Sequence, residues 1–240
     1  NFFKKKFGYD VKLFPSARSC IGVILRYLKI DRSDQVFINK WASHCVLNTF
    51  GAYTNISTSL KNSNLIYCVH KWGQIQNITY KKKGTKIIES SVDSIILEKN
   101  KLFFNNGDFE IFSLPKIIGS VAGGIVVSRN KDFIEFCKAE QNKNKQLGIY
   151  QARIKFKGFP PKKNNFETWM HLETWNTYLE MNTLNNIYEN LSNYDRNKNI
   201  IISRLEICSK IFKKKCFSSG RVGPVLPLFE RYLLDFKNLY

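Results

Sequence analysis

Apolar residues along this chain of 240 residues fall into short unbroken runs in the first half and into wider-spaced sets in the second. Leu65-Ile66-Tyr67-Cys68-Val69 is an apolar run between Asn64 and His70, the pattern of a strand covered on both faces. Shorter runs at residues 35–38, 86–89, 109–112 and 125–128 predict further strands. Between them, Ile21, Val23, Ile24, Leu25, Tyr27 and Leu28 recur with helical spacing behind Ser16-Ala17-Arg18-Ser19. Small polar residues before such a set signal a helix amino terminus. Residues 42–50 predict a second helix. Residues 131–146 predict a third, with Phe133, Ile134, Phe136 and Cys137 inward. Residues 1–15 read as a lead-in whose Phe2, Phe3 and Phe7 pack on the body.

Strands alternating with helices predict an α/β fold with a mostly parallel sheet, whose chemistry gathers beyond the carboxyl ends of the strands. Those ends carry His70, Ser90, Asp93, Ser113 and Lys116. The pattern changes after Arg129. A basic connector over 147–165 holds Gly158, Pro160 and Pro161; residues 166–191 and 199–212 predict long helices, 224–226 a short strand and 230–239 a last helix. The expected division is a large α/β domain over 1–146 and a smaller helical part over 147–240.

Composition narrows the function. A hydrophobic fraction of 43% with 14% aromatics describes a chain that buries a core. No apolar run reaches the roughly 18 residues of a membrane span. The first residues lack both an initiator Met and the charge-then-apolar order of a signal peptide. Cysteines 20, 45, 68, 137, 208 and 216 show no paired spacing. Reduced thiols in the cytoplasm are the expectation, with no metal. The net charge of +19 suits polyanions, but the lysine runs at 4–6, 81–83 and 213–215 are scattered, and no zinc-finger spacing or aromatic RNA-binding strand accompanies them. Attraction to anionic substrates, or to an acidic membrane surface, fits better than a dedicated nucleic-acid site.

Two stretches carry candidate chemistry. The amino terminus opened by Ser16, Ala17, Arg18 and Ser19 is a ready anion site, since first-turn N–H groups and the dipole point outward there; capping alone is the plainer role for either serine. Lys116 follows the strand at 109–112 and precedes the pair Gly123-Gly124. A lysine held at a strand end between apolar segments can lose solvation, which favours a nucleophilic amine able to form a Schiff base. A solvated loop lysine is the alternative.

Taken in order, these motifs resemble the sugar aminotransferases of the DegT/StrS type, which depend on pyridoxal 5'-phosphate (PLP) and have the aspartate-aminotransferase fold (fold type I). The family's Ser-Gly-Thr-like turn is matched by Ser16-Ala17-Arg18-Ser19, its "D-E-V" by Asp34-Gln35-Val36, and its Leu-Asn pair by Leu47-Asn48. Its "V-H-L-(Y/F)-G" strand end is matched by Val69-His70-Lys71-Trp72-Gly73, and its "I-E-D-A-A-H" by Ile88-Glu89-Ser90-Ser91-Val92-Asp93. Its "G-D-x-x-x-F-S…K…G-G" block is matched by Gly107-Asp108, Phe112-Ser113, Lys116 and Gly123-Gly124.

The resemblance implies a three-layer α/β/α large domain with PLP as cofactor. Lys116 would form the Schiff base and later carry the proton. Ala17, Arg18, Ser19 and Ser113 would hold the phosphate. An aromatic around Trp41 to His44 would cover one ring face, although an ungapped alignment puts Ser43 at the stacking position. The family aspartate that pairs with the pyridine nitrogen falls on Ser90, and Asp93 falls where the family has His or Gln. Either Asp93 takes the ionic role or the ring is a weaker electron sink. The family's Gly-x-Asn-x-Arg element after the lysine is not recognisable, nor is part of its segment between Phe50 and Leu65. The implied reaction passes an amino group from a glutamate-like donor to a nucleotide-linked keto-sugar in surface-polysaccharide biosynthesis, within a homodimer. The alternative is a degenerate member that keeps the fold for a binding or scaffold role.

Overall fold

The computed structural model describes residues 2–39, 42–96, 102–143, 145, 174–211 and 221–222. In chain order its strands are β1 (Asp10–Phe14), β2 (Gln35–Ile38), β3 (Asn55–Ser57), β4 (Leu65–Val69), β5 (Lys86–Ser90), β6 (Ile95–Ile96), β7 (Phe109–Ser113), β8 (Gly124–Ser128) and β9 (Arg221–Val222). The helices are α1 (Phe2–Phe7), α2 (Ala17–Tyr27), α3 (His44–Gly51), α4 (Leu114–Ile118), α5 (Lys131–Lys143), α6 (Met181–Asn190) and α7 (Asn193–Ile211).

A seven-stranded sheet in the order β1-β8-β7-β5-β4-β2-β3 forms the centre. β2, β3, β4, β5 and β7 are parallel. β8 runs against both β7 and β1. The reversal has a local cause. Only α4 and the five residues 119–123, with positive-φ glycines at both ends, Gly119 (φ 74°) and Gly123 (φ 124°), separate β7 from β8. That link is too short for a crossover and returns the chain antiparallel on the same edge.

Side chains alternate across the sheet and feed two cores. Tyr67, Ile88, Phe109, Ile111 and Val126 pack with the inner face of α2 and with Phe133 and Cys137 of α5. Phe112, Ile125 and Val127, one residue out of phase, pack with Phe3 and Phe7 of α1, Ile117 and Ile118 of α4, Ile187 of α6 and Tyr194 of α7. Each fully buried side chain of this size contributes roughly 1.5–3 kcal/mol. Helices therefore cover both faces, giving the α/β fold with a mostly parallel sheet that the pattern predicts and the three layers that the resemblance implies.

Some elements differ from expectation. The lead-in at 1–15 contains α1 and an edge strand, β1, because Phe3, Phe7 and Phe14 are buried against the sheet. β3 is a short edge strand on mostly polar residues, and it pairs through its backbone with β2. In the span expected to be one helix, 166–191, the described residues are helical at 174–175 and in α6, with the non-helical stretch 176–180 between them. Glu180 opens α6, accepting the Asn182 N–H at 2.8 Å. The helix expected from residue 199 starts earlier, at Asn193. The connector, the strand at 224–226 and the last helix lie outside the described residues. No described helix is long and apolar enough to cross a membrane, and Cys20, Cys45, Cys68, Cys137 and Cys208 are free thiols.

Candidate active site

The amino terminus of α2 is set by its contact with β8. Ser16 caps the helix, its Oγ accepting the Ser19 N–H at 3.1 Å. The amides of the first turn have no carbonyl within the helix to bond. A Cβ on Gly124 would lie 2.3 Å from the Ser16 carbonyl carbon and 2.5 Å from the Ala17 nitrogen. Only glycine lets β8 run this close beneath the helix start. Gly123 joins the neighbouring elements: its N–H donates to Pro15 O at 2.8 Å and its carbonyl accepts the Leu114 N–H at 3.0 Å. The starts of α2 and α4 thus converge on one glycine pair.

Lys116, expected at a strand end or in a loop, stands on α4, a five-residue helix with Ser113 at its cap and Pro115 in its first turn. Its ammonium forms an ion pair with the Asp93 carboxylate. Lys116 is 50% exposed and Asp93 only 7%. The second Asp93 oxygen lies 3.5 Å from Lys71 Nζ. Asp93 belongs to the turn Ser91-Val92-Asp93-Ser94, closed by the Ser94 N–H on Ser91 O at 3.0 Å. Ser90, at the end of β5, accepts a hydrogen bond from the Tyr67 hydroxyl at 2.8 Å. Burial pushes the Tyr67 phenol far up, so it stays protonated and donates.

These groups surround a cleft of about 260 Å³ whose wall includes Ser16, Arg18, Cys45, Tyr67, Ser113 and Lys116. That is close to the lower end, roughly 300 Å³, of small-molecule pockets. Of the residues singled out from the sequence, Ala17, Arg18, Ser113 and Lys116 line the cleft. Ser19 is buried behind Ser16, with the two hydroxyl oxygens 3.1 Å apart. Ser90 reaches the wall through Tyr67, and Asp93 through Lys116. His44 is the exposed first residue of α3, and Ser43, Cys45 and Val46 form the wall at that point. Trp41 lies outside the described residues. Sequence reasoning passed over Ser16, which it treated as a cap, and Tyr67, which it read as core. The signal for Tyr67 was its polar tip on an otherwise apolar strand.

The opposite face of the same strand ends is a buried polar layer. His70, a strand-end candidate, is fully buried there and turned away from the cleft. Its Nδ1 accepts the Gln76 N–H at 3.1 Å, so Nε2 carries the proton and donates to Glu89 at 2.7 Å. Glu89 also accepts the amides of Asn105 (3.0 Å) and Gly107 (2.9 Å). Burial pushes the Glu89 carboxyl up, but these donors, His70 first, outweigh it and hold the group below its ordinary range. Glu110, opposite Glu89 in register, is buried with Ser91 and Arg221.

The donor set suits PLP. A lysine amine and a capped helix start with the hydroxyls of Ser16 and Ser113 beside it share one cleft, the nearly buried Asp93 carboxylate pairs with that lysine from behind, and Gly124 beneath the helix start admits no Cβ. The family model described as "Putative PLP-dependent aminotransferase" matches residues 3–222. Among solved structures, the PLP form of a Streptococcus pneumoniae protein described as "Putative sugar aminotransferase" has a TM-score of 0.55 at 10% identity, covering 92% of this chain and 66% of that one. Its PMP form has a TM-score of 0.45 at 13% identity, covering 60% of this chain and 49% of that one. Sphingomonas wittichii serine palmitoyltransferase has a TM-score of 0.44 at 13% identity, covering 56% and 42%. The chain thus spans between 42% and 66% of the length of these proteins. No curated protein sequence matches it. With the family model spanning nearly the whole sequence, the chain belongs to the PLP-dependent aminotransferase family.

Proposed function

We infer that this chain is the cofactor-holding body of an aminotransferase of the DegT/StrS type. It would pass an amino group from a glutamate-like donor to a nucleotide-linked keto-sugar in surface-polysaccharide biosynthesis. The observation that carries the reading is the Lys116–Asp93 ion pair at a cleft that also holds the amino terminus of α2. Ala17 and Arg18 would offer backbone N–H groups to the phosphate, with the hydroxyls of Ser16 and Ser113 beside them and the helix dipole behind. PLP, when bound, supplies an electron sink for the donor's α-carbon. Lys116 Nζ is the nucleophile that attaches the cofactor and the base that moves the proton at that carbon. Asp93 holds Nζ at the cleft, and Lys71 balances the second carboxylate oxygen. Val46 and Cys45 supply a weakly polar wall that limits water.

The proposal includes a homodimer and a smaller helical part after residue 146. Support for the second is the change in sequence pattern there; α6 and α7 rest on the sheet through Ile187 and Tyr194. The substrate reading is tested by incubating PLP-loaded protein with glutamate and a panel of nucleotide-linked keto-sugars, following 2-oxoglutarate release. Release that depends on one sugar class supports it. Release with no sugar dependence, or only with non-sugar ketones, assigns another acceptor.

A second reading, a degenerate member with a binding or scaffold role, is favoured by one observation: Ser90, where the family pattern has a carboxylate, is bonded to Tyr67. Under that reading PLP binds, but glutamate releases no 2-oxoglutarate even in a single turnover.

A further inference from the structure

The turn that carries Asp93 is held from far along the chain. β9, the dipeptide Arg221–Val222, pairs antiparallel with β6, which begins two residues after Asp93: Ile95 faces Val222 and Ile96 faces Arg221. The Arg221 side chain goes the other way along the turn. Its guanidinium donates to Ser91 Oγ, 130 residues away in sequence, and to Glu110 Oε1 at 2.5 Å. Ser91 Oγ donates to the same Glu110 oxygen at 2.5 Å, and the Phe103 N–H donates to the other at 2.8 Å. Arg221 is 1% exposed, and its guanidinium lies 5.0 Å from the Phe104 ring centre and 5.7 Å from that of Phe112.

One dipeptide therefore grips the turn at both ends. Ser91, where the turn begins, is fixed by its amide on Ile111 O at 2.9 Å and by its hydroxyl in the Arg221–Glu110 pair. Ile95, just past its end, is fixed by Val222. A buried ion pair is a weak source of stability, because desolvation offsets most of the attraction. Its effect here is positional. Ser91 stands two residues before Asp93, so a shift of Ser91 moves the carboxylate that meets Lys116.

We propose that Arg221 is a positioning residue for the cofactor site, fixing the Ser91-Val92-Asp93-Ser94 turn and so the Asp93 carboxylate against Lys116. The inference rests on the reading that PLP attaches to Lys116. Arg221→Met alone strands the Glu110 charge and can fail to fold, so the decisive variant is Arg221→Met with Glu110→Gln. It removes both charges while the amide oxygen still accepts the Phe103 N–H. Arg221→Lys keeps the charge but loses the two-pronged geometry. PLP affinity and the visible circular dichroism of bound PLP, which reports its orientation, are measured beside Tm for wild type, both variants and Lys116→Ala.

The expected result is a double variant with near-wild-type Tm, PLP affinity roughly 10- to 100-fold weaker, as when residues behind a metal ligand are removed, and a diminished visible dichroic band. Arg221→Lys shows the same change in smaller measure. Wild-type affinity and dichroism in both variants, or full recovery in the double variant, overturns the inference and leaves the proposed function standing. A wild-type protein that binds PLP no better than Lys116→Ala overturns both.

Discussion

Tyr67 and Ser90, on the neighbouring parallel strands β4 and β5, share a buried hydrogen bond of 2.8 Å in the wall of the cleft. The resemblance puts Ser90 where the family has its pyridine-binding aspartate, and here the Tyr67 hydroxyl donates to that serine. Tyr67→Phe leaves Ser90 Oγ without this partner and is expected to lower stability by about 1 kcal/mol; Ser90→Ala, which strands the larger buried phenol, by about 1–3 kcal/mol. Urea unfolding of the two single variants and the double variant measures the coupling. Additive losses would show that the bond contributes nothing.

Asp93 is the carboxylate that the fold delivers to Lys116. Asp93→Asn is expected to cut turnover on the order of 100-fold, the scale of losing one preorganised electrostatic group, while PLP affinity falls by less. Lys71→Met should have a milder effect, because its 3.5 Å separation exceeds the roughly 2.7–2.9 Å of a charge-assisted hydrogen bond. Single-turnover rates with glutamate, set beside PLP titrations, separate the two effects. Equal losses in affinity and turnover would make Asp93 a binding residue only.

Glu89 gives the fold an acid limit. Its folded pKa is lowered from the ordinary value of 4.5. Its stabilisation is therefore fully present above about that pH and is lost as pH falls through the lower folded value. Glu89→Gln should reduce the urea midpoint at pH 7 and flatten its fall between pH 5 and pH 3. An unchanged acid slope in the variant would assign the limit to other carboxylates.

Gly124→Ala tests the seat of the α2 amino terminus. The added methyl meets backbone rather than a movable side chain, so β8 and α2 must separate. A loss of about 1–3 kcal/mol or more is expected, with PLP binding weakened beyond what Tm explains. Wild-type PLP affinity in the variant would remove the α2 amino terminus from the cofactor site.

Much of the architecture was legible because the central strands are unbroken apolar runs: β2 and β4 have the bounds that their runs predict. β1 was not, since Asp10 and Lys12 alternate with Val11 and Leu13 beside a lysine run, and its burial depends on pairing with β8. β3 is mostly polar and exists through its partner's backbone. In the site, the order of motifs pointed to Lys116 and to the question of Ser90 against Asp93. The pairing of Asp93 with Lys116, the bond from Tyr67 to Ser90 and the reach of Arg221 to Ser91 are contacts between distant segments. No local pattern encodes them. His70 sat at the expected strand end, yet strand alternation turned it to the far face, toward Glu89.

The most direct test of the central claim is to add PLP to the purified protein, reduce it with borohydride and map the modified residue by peptide mass spectrometry. In a chain so rich in lysine, position is the informative readout. The account predicts a visible band abolished by reduction and one cofactor adduct, on Lys116. Lys116→Ala should lose both and keep wild-type unfolding, since Asp93 retains Lys71 as a neighbour. Adducts scattered over surface lysines, or a colourless protein that takes up no PLP, would contradict it.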